Sequence, residues 1–283
     1  MSAVILDGKK VSAQMREALR VQAAALRERG VEPHLAVILV GENPASQIYV
    51  RNKERGCEKT GIRSTVIRLS ENCTQTELEN TVLALNADAG VHGILVQLPL
   101  PAHLNESAVL ALIDPRKDVD GFHAYNAGRL LTGQAGFVPC TPLGAMEMLD
   151  AYQIPIAGRR AVVVGRSNIV GKPMALLLLA RNATVTVCYS RTQDLAQITR
   201  EADILVCAVG KPGFITADMI KPGSTVIDVG INRVDGKVVG DVDFEAASEV
   251  AGYITPVPGG VGQMTITMLL SNTLRAAQAL SEA

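Results

Sequence analysis

Gly165-Arg166-Ser167-Asn168-Ile169-Val170-Gly171 joins a Val-rich run to an apolar run of helical character. A turn that enters a helix presents free N–H groups and the positive end of the helix dipole, which is chemistry suited to a pyrophosphate. The usual dinucleotide fingerprint would put glycines at 165, 167 and 170, whereas Ser167 and Val170 stand here and the next glycine is Gly171, so a plain strand-to-helix turn stays open. The following strand ends in Ser190-Arg191-Thr192, not in the Asp or Glu that would accept from a ribose 2′-hydroxyl. Arg191 and Arg166, with Ser190 and Ser167 nearby, can bind a 2′-phosphate through charge-assisted hydrogen bonds, which favours NADP over NAD. Without the glycine turn beside it, Arg191 reads equally as a solvated loop charge.

A second constellation lies in the first half of the chain. Tyr49 and Lys53 are four apart on one expected helix, so their side chains share a face. Gln97 ends the apolar run Ile94-Leu95-Val96, where a primary amide costs energy unless Lys53 or a ligand bonds it. Asp118 and Asp120 occupy a loop after the next helix, and ligands of open α/β sheets bind outside the carboxyl ends of the strands, where these groups can converge. Each also has an ordinary reading: a solvated lysine, a packing tyrosine, and two turn-forming aspartates beside Gly121.

Alternating elements must position these groups. Helical spacing runs from Lys9 to Arg29, followed by strand 34–41, helix 45–61, strand 62–69, helix 76–88, strand 91–98 and helix 106–113. A loop, DPRKDVDGFHAYNAG, precedes a connecting helix over 142–152, which marks the domain joint. A second alternating run starts at strand 159–165 and continues to STVIDVGIN. The expected fold is therefore α/β in two domains with mostly parallel sheets covered on both faces. The last helix, 264–280, is apolar around much of its circumference and is expected to return to the first domain.

Composition narrows the partners. With 27 Lys plus Arg against 28 Asp plus Glu, no overall field favours nucleic acid or an anionic membrane. Apolar stretches such as 175–180 are too short to span a bilayer, and the first ten residues lack a signal-peptide core, so a cytoplasmic protein is expected. Cys57, Cys73, Cys140, Cys188 and Cys207 form no C-x-x-C pair and are read as reduced structural thiols. The four histidines show no metal-ligand spacing, so no metal is expected.

YVRNK (49–53), VQLPLP (96–101), KDVDGFH (117–123), GRSNIVGKP (165–173), KPG (211–213), IDVGINR (227–233) and TPVPGGVG (255–262) together resemble the FolD-type methylenetetrahydrofolate dehydrogenase/cyclohydrolase family, in order and spacing over essentially the whole chain. The resemblance implies a bifunctional enzyme acting on tetrahydrofolate derivatives. NADP would take a hydride from the carbon bridging N5 and N10, and water would then open the methenyl product to the 10-formyl compound. It makes Lys53 the central cyclohydrolase residue with Gln97 and Tyr49 in support, and puts Asp120 on the pterin, whose 2-amino and ring N–H edge a carboxylate fits. A partly desolvated lysine titrates lower than a free one, so Lys53 would exchange protons near neutral pH. Gly165, Arg166 and Ser167 would hold the cofactor, Ile231 would lie near the nicotinamide, and Gly259 and Gly260 would allow close backbone approach on the folate side. A homodimer is implied too. The division implied is 1–139 with 264–283 for folate and catalysis, and 140–263 as a Rossmann-like NADP domain.

Two positions depart from the family pattern: Ala124 stands where Pro usually follows GFH, and Gln263 where Pro usually follows PGGVG. Neither removes a chemical group. Rival readings at this stage are an enzyme that keeps only the dehydrogenase, another NADP oxidoreductase such as one acting on a small hydroxy acid, and a non-catalytic NADP sensor.

Overall fold

A computed structural model describes Ser2–Glu282. The chain runs β1 (Val4–Ile5), α1 (Gly8–Glu28), β2 (His34–Val40), α2 (Pro44–Thr60), β3 (Arg63–Leu69), α3 (Gln75–Ala87), β4 (Gly93–Val96), α4 (Glu106–Leu112), α5 (Ala124–Leu131) and α6 (Cys140–Ala151). It continues β5 (Arg160–Val164), α7 (Gly171–Ala180), β6 (Thr184–Cys188), α8 (Leu195–Thr199), β7 (Ile204–Cys207), β8 (Thr225–Asp228), β9 (Asn232–Val234), β10 (Lys237–Val239), α9 (Phe244–Ser248), β11 (Tyr253–Ile254) and α10 (Val261–Ser281). Two compact units result: Gln14–Val138 with α10 from Ile266 onward, and Pro139–Thr265 with the residues up to Ala13. No helix among the described residues is long and apolar enough to cross a membrane.

In the first unit a parallel sheet has the order β3-β2-β4. Its central strand, HLAVILV, is buried at every position, which is why it is apolar from Leu35 to Val40 instead of alternating. The inner faces of β2 and β4 meet Leu78 and Val82 of α3 and Val109 of α4. Helix α2 starts where the Asn43 side chain accepts from Ala45 N and Ser46 N ahead of Pro44, and stops at Gly61, whose φ of 75° places it in the left-handed region.

The second unit carries a six-stranded sheet of order β1-β11-β8-β7-β5-β6, parallel throughout. Val162, Val164, Leu205, Cys207, Val226 and Ile254 form its core. The expected division differs here at one end of the chain. Residues up to Ala13 belong to this unit because β1 pairs with β11, Val4 opposite Tyr253 and Ile5 opposite Ile254. A strand of two residues is too short to show a period. The segment expected as loop after α4 also contains a helix, α5, whose first turn is capped by the His123 ring accepting from Tyr125 N.

His34 and His92 form a buried pair at the amino end of β2. The His34 backbone N–H donates to His92 Nδ1 at 3.2 Å, while the His34 ring meets Gly90 O at 3.0 Å and Thr65 Oγ1 at 2.9 Å. Burial holds both imidazoles below their ordinary pKa of 6.5, aided at His92 by the charges of His34 and Lys117. The unfolded chain therefore binds more protons as pH falls, so the stability from neutral imidazoles is full above 6.5 and is lost below it. Asp118 and Asp228, pushed up to about 6 by burial, act with the opposite sign between their ordinary 3.8 and 6. Comparison with His92→Gln isolates the imidazole contribution. The melting temperature of the wild type is expected to fall more steeply than the variant's between pH 7 and 5, and parallel curves would refute it.

Candidate active site

Lys53 lies half-buried on α2, one turn after Tyr49, which is 38% exposed. Its Nζ donates to Gln97 Oε1 at 2.9 Å. Gln97, only 9% exposed, follows β4, and its backbone N–H donates to Ile38 O. Its side-chain Nε2 donates to Leu98 O at 2.6 Å, and this fixes the amide so that the oxygen faces the lysine. The sequence argument that a buried amide needs a partner thus finds that partner in Lys53.

The loop after α4 separates the two aspartates by role. Asp118 is 1% exposed, and its carboxylate accepts from Phe122 N at 3.1 Å, His123 N at 2.9 Å and Asn126 Nδ2 at 2.8 Å. It therefore organises the loop and the start of α5. Lys117 turns the other way, with its Nζ donating to the carbonyls of Leu85, Asn86 and Asp88 at the end of α3. Burial lowers the pKa of this ammonium, and the three carbonyls satisfy its three N–H bonds. Val119 is fully buried against Gly93, where an added Cβ would lie 2.9 Å from both Val119 methyls. Asn272 Nδ2 of α10 donates to Val119 O at 2.9 Å. Asp120, half-buried, is the residue that this scaffold holds at the loop's tip.

In the second unit Gly165 has φ of 132°, and a Cβ there would lie 2.2 Å from Ala208 O. A Cβ on Gly171 would lie 2.2 Å from Gly165 O. Both glycines are thus required by backbone approach, and the turn closes on itself over seven residues although its spacing is not the usual one. Ser167 Oγ accepts from Val170 N at 3.1 Å and Gly171 N at 3.3 Å, so two of the N–H groups expected to face a ligand are capped from within. The Arg166 guanidinium stacks over the Tyr189 ring at 4.3 Å, and Ser190 and Arg191 are exposed just after it. Ile231 is 47% exposed, and a Cβ on Gly262 would meet its Cδ1 at 3.6 Å. Gly259 has φ of 115°; Gly260 has a reason of its own, since a Cβ there would lie 2.6 Å from Pro256 O. Gln263 N donates to Gly260 O at 3.1 Å, a bond the usual Pro could not make.

Sequence reasoning did not single out Tyr189, Asn272, Asp228 or Asp241. Asp228, at the carboxyl end of β8, and Asp241, after β10, are buried carboxylates; the first lies within a run that reads as strand and the second beside Gly240, and neither context points to the backbone groups they bind. Among the described residues no three of His, Cys, Asp and Glu are grouped to hold a metal ion, and the five cysteines are buried and in no disulfide.

The sequence matches the model of the tetrahydrofolate dehydrogenase/cyclohydrolase catalytic domain over residues 6–120, and that of the family's NAD(P)-binding domain over 139–281. This chain belongs to the tetrahydrofolate dehydrogenase/cyclohydrolase family. It is 60% identical over 279 residues, 98% of its length and 97% of the relative's, to the bifunctional protein FolD of Nitrosospira multiformis. Among solved structures, the Campylobacter jejuni bifunctional dehydrogenase/cyclohydrolase is 53% identical, with a TM-score of 0.97 over 98% of this chain and 99% of that one. The Trypanosoma brucei dehydrogenase-cyclohydrolase, solved with NADP cofactor and inhibitor, is 42% identical with a TM-score of 0.96 and full coverage of both. Family membership joins the two constellations: the match to the catalytic domain contains Tyr49, Lys53, Gln97 and Asp120, and the match to the cofactor domain contains the Gly165–Gly171 turn.

Proposed function

We propose that the chain oxidises 5,10-methylenetetrahydrofolate to the 5,10-methenyl cation with NADP, and then hydrolyses that cation to 10-formyltetrahydrofolate. The Lys53–Gln97 hydrogen bond within the family's catalytic domain carries this reading, because a positioned amine is what ring opening needs beyond oxidation. NADP, when bound, supplies the hydride acceptor. Water adds to the cationic carbon, one proton leaves and the ring opens. Lys53 is the group we assign to that proton movement. Gln97 is neutral, so it holds the amine without itself gaining or losing a proton. Tyr49, one turn away, forms the wall of the folate site, and Asp120 accepts from the N–H edge of the pterin.

The folate site and chemistry are assigned to the unit containing Gln14–Val138, and cofactor binding to that containing Pro139–Thr265. The donor set suits NADP: the Ser167 hydroxyl accepts two N–H bonds and keeps its own proton to donate to a phosphate, and Arg166, Ser190 and Arg191 suit a 2′-phosphate. Gly259 and Gly260 are kept as folate-side residues and Ile231 as a nicotinamide contact. A homodimer in the cytoplasm, bound to neither nucleic acid nor membrane, completes the reading. Near-neutral net charge and five cysteines outside any disulfide are in keeping with it.

The test follows reduced cofactor and methenyl product separately, with NADP or NAD. Reduction favouring NADP, followed by ring opening, is expected, and no folate-dependent reduction with either cofactor would overturn the reading. Arg166→Ala is expected to lower the NADP-to-NAD ratio of kcat/KM about tenfold or more, as for loss of a charge-assisted bond. Tyr189→Ala, which removes only the stacking platform, should lower it about two- to fivefold. An unchanged ratio in Arg166→Ala would move phosphate recognition to Arg191.

A further inference from the structure

Two buried carboxylates, Asp228 at the end of β8 and Asp241 after β10, gather the loops at the carboxyl edge of the second unit's sheet. Asp228 accepts from Gly230 N at 2.9 Å, Asp241 N at 3.0 Å and Val242 N at 2.9 Å. Asp241, 0% exposed, accepts from Val209 N at 2.6 Å, Gly210 N at 3.0 Å, Lys211 N at 2.9 Å and Asn232 Nδ2 at 2.9 Å. These are all neutral N–H donors, and buried carboxylates need such bonds to stay in place. The packing is close on both sides. A Cβ on Gly240 would lie 1.9 Å from Asp228 Oδ2, and one on Gly230 2.3 Å from the Asp241 carboxyl carbon. The segment so held includes Ile231, between Gly230 and Asn232. The loop from Val209 follows Ala208, whose carbonyl Gly165 approaches.

We propose that Asp241, with Asp228 behind it, is the positioning residue of the dehydrogenase half-reaction: it sets the Val209–Lys211 and Gly230–Asn232 loops against the nicotinamide end of the cofactor. The inference rests on the assignment of NADP to this unit. Neither carboxylate touches the reacting atoms. Every acceptor position of Asp241 faces a donor, so Asp241→Asn would turn an NH2 group toward N–H groups and displace the loops. The Gly165–Gly171 turn and Arg166 would stay as they are. A displacement of about 1 Å can cost a hundredfold in rate.

The experiment compares wild type, Asp241→Asn and Asn232→Ala in three assays: NADP reduction with methylenetetrahydrofolate, ring opening of preformed methenyltetrahydrofolate without cofactor, and thermal unfolding. For Asp241→Asn the dehydrogenase kcat is expected to fall about tenfold or more, with KM for NADP changed less than about threefold and ring opening within about twofold of wild type. Asn232→Ala, which removes one donor and leaves both carboxylates, should show the same split at about threefold. If Asp241→Asn does not fold, Asn232→Ala decides alone. An unchanged dehydrogenase kcat in a folded variant, a loss entirely in KM for NADP, or parallel loss of both activities would each overturn the proposal. If wild type reduces neither NADP nor NAD, the assignment of function has failed, which is a different result.

Discussion

Lys53→Ala is expected to keep reducing NADP while methenyl product accumulates, with ring opening slowed by about a hundredfold or more, the usual contribution of a positioned proton-transfer group. The fold should survive, since Lys53 is a half-buried helical position and alanine is the best helix former. Lys53→Arg separates two explanations. Arginine keeps the positive charge but stays protonated, so it restores ring opening only if charge alone suffices. We expect no rescue. Gln97→Ala should act in the same direction more weakly, because the amine stays but loses the 2.9 Å bond that orients it. Ring opening at the wild-type rate in folded Lys53→Ala would remove the lysine from the mechanism.

Gly171→Ala is expected to remove dehydrogenase activity and spare hydrolysis of preformed methenyltetrahydrofolate. The added methyl would lie 2.2 Å from Gly165 O and 2.8 Å from Arg166 Cα. Both are backbone atoms, so no side chain can swing aside and the turn itself must open. Overpacking of this kind costs about 1–3 kcal/mol or more, a drop that thermal unfolding will register. Gly128→Ala is the control. That glycine lies within α5 with open space around its Cβ position, so the change should be neutral or slightly stabilising. Wild-type NADP turnover in Gly171→Ala would mean that the turn does not hold the cofactor.

The parts of the fold legible in the sequence are those whose period is long enough to see. HLAVILV and RAVVV announce buried strands, and the spacing of Val11, Leu19, Ala23 and Leu26 announces α1. β1 and β11, with two residues each, announce nothing, and only their pairing reveals them. The β9–β10 hairpin does leave a sign, Asp235-Gly236, whose φ values of 49° and 76° suit a tight hairpin turn, although strands of three residues on either side are too short to show a period. The Lys53–Gln97 contact could be argued from sequence because a buried amide demands a partner. The roles of Asp118, Lys117, Asp228 and Asp241 could not. Each of them satisfies backbone groups of other segments, and that demand has no local signature.

Helix α10 adds a consequence in time. From Ile266 it belongs with Gln14–Val138: Ile266 and Leu270 lie against Gly56, and Asn272 holds the carbonyls of Val119 and Val138. During synthesis the residues that carry Lys53 and Asp120 emerge first, yet the helix that finishes their unit is made only after the Pro139–Thr265 segment. The Pro139–Thr265 segment can begin to fold before the unit that precedes it in the chain is complete. A chain cut short before α10 would therefore leave the earlier-made unit unfinished, and the two activities can be separated by point substitution but not by such a truncation.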